Sequence, residues 1–361
     1  MKINLQVDIQ QCQPHYEFRT FVICGIIMFI CCCVGLFGNF ISVILLTRKY
    51  LRRNAFRLYL NALCIADSGT LAGAIYMISL PVLLDKGYYA GDMTSISSQF
   101  IVIWYPIGLT CQTASTWLIV VMAISRYIYT KYPLWYMKIL RTEKIRTVIA
   151  VVWISAFLFN ISRLLELKRV DCLDTSKNET KTEVRTTSLR DSYWYKVLYI
   201  GFAYTLVMFV LPLLILVVVN LSLVVTLIKA IRNYSYTNSN DLKQHALTVL
   251  LVLICFVFVI CNSLALTINT LEILDHHQFL NVGSMHPAKP AFKILVDASN
   301  LLVVLNSSTN FLFYLMFNSK FRDVIVCKLT MLTNSGGRKS STDLYYADKR
   351  LATLSPRKRS T

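Results

Sequence analysis

Long apolar runs alternate with short polar segments along this chain, and the runs are too long for the core of a soluble domain. A helix rises about 1.5 Å per residue, so crossing a hydrocarbon layer roughly 30 Å thick takes about 20 apolar residues. Uncharged runs of that kind cover Phe21–Leu46, Phe100–Ile124, Val197–Ile228 and Ala246–Leu271. Leu58–Leu84 carries one acid, Asp67, and Ile294–Asn318 carries one, Asp297. Thr147–Ser162 is short, but Arg146 and Arg163 at its ends can snorkel to lipid headgroups. A six-span reading would drop this run and leave both chain ends on one side. The pattern predicts seven spans and an all-α membrane protein, a seven-transmembrane helix bundle.

Composition agrees. Of 361 residues, 55% are hydrophobic and only 16% charged, against about 25% charged in soluble domains. The formal charge is +18, and its placement is informative. Segments 47–57, 127–146, 229–245 and 319–361 hold 23 Lys and Arg against five acids; the segments on the other side hold 13 of each. Lys and Arg resist translocation, so the basic side is predicted to be cytoplasmic and the N-terminus extracellular. A basic face on an apolar chain indicates lipid rather than nucleic acid as the partner. Most of the eleven Cys fall inside apolar runs, which argues against a disulfide scaffold. Residues 1–20 contain no apolar run, so the first span is expected to serve as an uncleaved anchor. The sequon at Asn178 lies in a predicted outer loop and suits glycosylation. Those at Asn160, Asn220, Asn233 and Asn306 fall in or near spans or on the inner side and read as chance. The expected organisation is an extracellular segment 1–20, a bundle over 21–329, and a disordered cytoplasmic tail over 330–361.

Ionisable residues inside a membrane cost at least about 2.5–3.5 kcal/mol, so each one is a functional candidate. Asp67 lies mid-span. Candidate polar partners are Asn39 in the first span, Ser115 in the third, and Asn306, Ser307 and Asn310 in the seventh. Such a cluster could hold Na⁺ or a proton, since hard cations favour oxygen ligands; the plainer reading is a network that joins helices. Arg126 closes the third span, and on position alone it reads as a headgroup anchor. Cys31, Cys32 and Cys33 read as small packing residues, and His276 and His277 as solvated loop residues rather than metal ligands.

In order along the chain, these residues resemble the rhodopsin-like G protein-coupled receptors. Gly38-Asn39, Leu63 with Asp67, Ser125-Arg126-Tyr127, Trp153, Pro212 and Asn310-Phe311-Leu312-Phe313-Tyr314 match the motifs of successive spans. Phe321-Arg322 then match the start of a short amphipathic helix on the membrane surface. The stretches Pro106–Ser115, Asn160–Arg163 with Glu166, and Leu305–Phe311 resemble the invertebrate FMRFamide-receptor group. The resemblance implies a plasma-membrane receptor for an extracellular peptide, acting through a heterotrimeric G protein and, in the same family, arrestin. It implies an outer pocket among spans three, five, six and seven, with Glu166, Glu272, Tyr105 and Gln112 meeting the ligand. Arg126, Tyr127 and Tyr314 would serve coupling.

The departures are specific. Ser125 stands where the family has an acid beside the Arg, and Asn262 and Leu264 replace the Trp and Pro of the sixth span. Phe311 replaces the Pro of the seventh-span motif. No Cys lies near Ile101 at the outer end of the third span, which leaves Cys12 as the extracellular candidate to pair with Cys172. A retinal-binding Lys is absent, since the matching position is Val304; an amine counter-ion is absent, since the matching position is Gly108. Peptide is therefore the expected ligand, with a small odorant as the alternative. A transporter would show more intramembrane charge and an internal repeat. No hydrolase or metalloprotease motif is present to suggest an enzyme.

Overall fold

The computed structural model describes residues 17–47, 56–86, 92–132, 134, 136, 142–174, 179–233, 239–276 and 290–317. Seven helical spans follow one another: Phe18–Thr47, Arg57–Leu84, Ser98–Lys131, Thr142–Leu165, Tyr195–Thr226, Val252–Leu271 and Ala291–Leu312. Lipid offers no partner to a backbone N–H or C=O, and a helix satisfies both within one segment. Large apolar side chains such as Phe37, Phe40, Phe157, Leu158 and Val218 stand exposed on the outside of the bundle, where acyl chains would cover them. The post-span surface helix, Asn178 and Cys12 lie outside the described residues.

Span three is the central post. In its most apolar stretch 61% of residues are buried, against 22% for span four. One core cluster gathers around it, with Tyr59, Leu63, Leu118, Ile119, Met122 and Phe258 fully enclosed. A second joins Cys24, Met28 and Cys32 of span one to Leu71, Val82 and Val304. Cys32 is buried and Cys33 exposed, so the cysteine triplet divides between core and outer face.

Three features go beyond the sequence pattern. Between spans four and five the chain forms an antiparallel hairpin, β1 (Leu167–Asp174) with β2 (Glu179–Thr186), in which Leu167 faces Thr186 and Asp174 faces Glu179. Span four, read from sequence as a short run, is an α-helix over Thr142–Asn160 that tightens to a 3₁₀ turn over Ile161–Leu165. Arg163 in that turn does not snorkel: it is buried, because a carboxylate inside the bundle draws it inward. Span five opens with π-helical turns over Tyr195–Ala203 and Leu206–Val210. Their i→i+5 bonding sets residues five apart nearly above one another.

Spans two and three share the most extensive interface, and glycine permits it. A Cβ on Gly73 would lie 2.9 Å from the Gly108 Cα, closer than two carbons can approach. Gly73→Val should therefore force the spans apart and destabilise the bundle by about 1–3 kcal/mol. Thermal melting of the purified protein checks this, and an unchanged midpoint would refute the close-contact account.

Candidate functional site

At the hairpin end of the bundle a cavity of about 270 Å³ opens among spans two, three, five, six and seven. Gly73 and Gly108 form part of its wall, so the backbone itself sets its width. Its polar groups are Thr70, Gln112, Tyr204, Asn269, Ser299 and Asn300. Three of these are carboxamides from three different spans, and none of the described lining residues is charged. A carboxamide both donates and accepts hydrogen bonds, so this lining suits a neutral polar group embedded in apolar contact. Among the described residues, Gln112 is the sequence-implied ligand residue found on this wall. Span two's share, through Thr70, Gly73 and Met77, was not anticipated, and Asn269 and Asn300 carried no motif to mark them.

Beside the cavity lies a dense polar cluster. Glu166 is fully buried. Its carboxylate meets the Arg163 guanidinium at 3.0 Å and that of Arg190 at 3.0 Å. Tyr105 donates to it at 2.6 Å and Tyr195 at 2.8 Å. Arg190 also donates to the Tyr105 hydroxyl at 2.6 Å. The Arg163 guanidinium lies 5.0 Å and 4.9 Å from the ring centres of Tyr199 and Tyr204, within cation–π range. The π turns of span five bring those two rings, five residues apart, to one guanidinium. Spans three, four and five and the short helix Ser188–Asp191 after the hairpin all contribute. Glu166 and Tyr105, implied as ligand contacts, are thus placed in an internal ion-pair network. The pairing of Glu166 with Arg163 one turn back is the arrangement observed. Glu272 falls in the helix Ser239–His276, and its side chain is outside the described residues.

Cys172 on β1 is buried and disulfide-bonded, to a partner outside the described residues. Eight other cysteines, Cys24 included, are free. Asn160, the acceptor of a sequon, is enclosed, with its amide donating to Thr113 and to the Ala156 carbonyl, both at 2.9 Å.

Midway down the bundle Asp67 is fully buried. Ser115 donates to one carboxylate oxygen at 2.6 Å and Asn310 to the other at 2.7 Å, and Ser307 lies nearby. Asn39 donates to the Ser307 carbonyl at 3.3 Å, and its own amide oxygen is buried without a partner. Asn306 is buried without a hydrogen bond to Asp67 among the described residues. A buried carboxylate met by a serine hydroxyl and an amide N–H is a group that could hold a proton or, with the hydroxyl oxygens, a hard cation such as Na⁺.

At the opposite end from the hairpin, Arg126 is buried rather than solvated. Its guanidinium lies 5.1 Å from the Tyr129 ring centre, and Tyr129 meets Tyr136 edge-on at 5.1 Å. Burial raises the Tyr136 hydroxyl above its ordinary value, so that ring is neutral. Ser125 turns away from Arg126 and donates to the Tyr59 hydroxyl at 3.3 Å. Tyr127 accepts a hydrogen bond from Lys131 at 3.0 Å. The Tyr314 side chain is outside the described residues.

Residues 38–314 match the 7 transmembrane receptor (rhodopsin family) profile, and the chain belongs to that family. It is 29% identical over 332 residues to "Probable G-protein coupled receptor frpr-1" of Caenorhabditis elegans, spanning 88% of this chain and 81% of that one. It is 28% identical over 312 residues to "FMRFamide peptide receptor frpr-18" of the same organism, spanning 86% and 69%. The "FMRFamide receptor" of Drosophila melanogaster is 25% identical over 311 residues, spanning 85% and 53%.

The Glu166 network generates a stability prediction. Glu166→Gln leaves two guanidinium groups without their carboxylate, and breaking a buried pair costs about 3–5 kcal/mol. The variant should melt well below the wild type in detergent. A melting point equal to the wild type would show that the network holds nothing together.

Proposed function

We propose that this protein is a plasma-membrane receptor for a short amidated peptide, signalling through a heterotrimeric G protein. In this reading the N-terminus and hairpin face outward and the Arg126 end faces the cytoplasm, in line with the basic segments on that side. The observation that carries the ligand class is the uncharged, carboxamide-lined cavity. A terminal carboxamide entering it exchanges hydrogen bonds with side chains of its own kind, whereas a carboxylate would lose its hydration with no cation to replace it. An amine would likewise find no carboxylate among the described lining residues. The volume of about 270 Å³ sits just below the usual ligand-pocket range of about 300–1,000 Å³, so the cavity takes the end of a peptide and leaves the rest outside. The names of the relatives from worm and fly support the same class.

Coupling is assigned to Arg126. Where the family pattern holds this Arg by an adjacent acid, here Ser125 is directed to Tyr59 and the guanidinium rests on Tyr129. Charge-assisted hydrogen bonds are roughly twice as strong as neutral ones, so Ser125 itself supplies less restraint than an acid at that position would.

Two measurements test this reading. Cells expressing the receptor should answer amidated Arg-Phe peptides with a calcium or cAMP signal, and free-acid versions should be at least about tenfold weaker. Equal potency of the acids, or silence to the whole panel at confirmed surface expression, would overturn it. Ser125→Asp should lower agonist-independent G-protein activation, by up to about tenfold for a restraint of about 1.4 kcal/mol. Both forms are compared at matched surface density, and basal signalling that stays level or rises in the variant rejects the restraint.

A further inference from the structure

Among the described residues that line the cavity none is charged, so a described carboxylate that could meet a cationic ligand group stands off the wall. Glu166 is unsuited to that role. It is fully buried, and two guanidinium groups already surround its single charge, which leaves that corner with a net positive charge. A second cation approaching there would be repelled. Glu17, at the start of span one, is paired with Arg19 at 2.7 Å.

Asp297 is different. It lies one residue after Val296 and one turn before Asn300, both on the cavity wall. It also lies two turns from Val304, on the same helix face. Its carboxylate is half-buried against span one, where Thr20 donates to it at 3.0 Å and Cys24 lies nearby. The donor is neutral. No Lys or Arg among the described residues forms an ion pair with it, although Lys293 stands one turn away with its side chain exposed. A half-buried carboxylate that accepts from a neutral hydroxyl, one residue along the helix from the cavity wall, is arranged to receive a cation.

We propose that Asp297 binds the guanidinium of a peptide whose uncharged end occupies the adjacent cavity. The site rests on the peptide-receptor reading and adds to it a fixed spacing between charge and terminus. The carboxylate would accept two parallel N–H bonds from the guanidinium, a geometry that an uncharged isostere cannot match in strength.

The probes are Phe-Met-Arg-Phe-amide and the same peptide with citrulline, which keeps the shape of Arg without its charge. Binding is measured to the full-length receptor in lipid nanodiscs. The wild type should prefer the Arg peptide. Asp297→Asn, which keeps an oxygen for Thr20, should weaken the Arg peptide roughly 10- to 150-fold and leave the citrulline peptide unchanged. Asp297→Glu should restore most of the preference. Thr20→Val and Glu272→Gln should both retain it. Equal weakening of both peptides by Asp297→Asn would make Asp297 merely structural and overturn the site. Loss of the preference in Glu272→Gln alone would transfer the role to that residue and do the same. A wild type that binds both peptides equally overturns the Asp297 site while the peptide-receptor reading stands; one that binds neither overturns both.

Discussion

Removing a carboxylate from water costs several kcal/mol unless cations and donors replace the lost hydration. At Glu166 they do, and the hairpin end of the bundle is organised around that replacement. Arg163 must fold inward from span four, Arg190 must return from the far side of the hairpin, and Tyr105 and Tyr195 must converge from spans three and five. Each of these groups is useful only where the others meet it. The 3₁₀ turn ending span four and the π turns opening span five bring the participants into register. The cavity inherits its wall from this network, since Tyr204 both faces the cavity and carries the Arg163 guanidinium on its ring.

The two other polar centres are built on different terms. Asp67 has no cation among the described side chains and relies on hydroxyl and amide donors from spans three and seven. Arg126 lies against aromatic faces, with Ser125 directed elsewhere. One end of the bundle is therefore fixed by opposite charges, the middle by neutral donors around one charge, and the other end in part by quadrupoles.

The spans were legible because hydrocarbon leaves little choice: an apolar run of about 20 residues must be a helix. Family membership was legible because short motifs recurred in the right order, one per span. What escaped the sequence was geometric. Nothing in the order of residues 195–210 announces i→i+5 bonding, yet it decides which tyrosines meet Arg163. Arg163 itself reads as a headgroup anchor until Glu166, three residues on, is seen to be enclosed. The hairpin 167–186 is polar and threonine-rich, without the apolar alternation that marks a half-buried strand. Asn269 and Asn300 resemble other polar residues near helix ends, and only the packing places their carboxamides on one wall with Gln112.

Tyr204 also limits how this receptor can diverge. A change there that reshapes the cavity removes a ring from Arg163 and disturbs the charge network behind it. Gln112, Asn269 and Asn300 make no bond to that network among the described residues. Descendants of this gene could therefore acquire new ligands most readily by exchanging those three side chains. Span five would stay nearly fixed as a record of the ancestral scaffold.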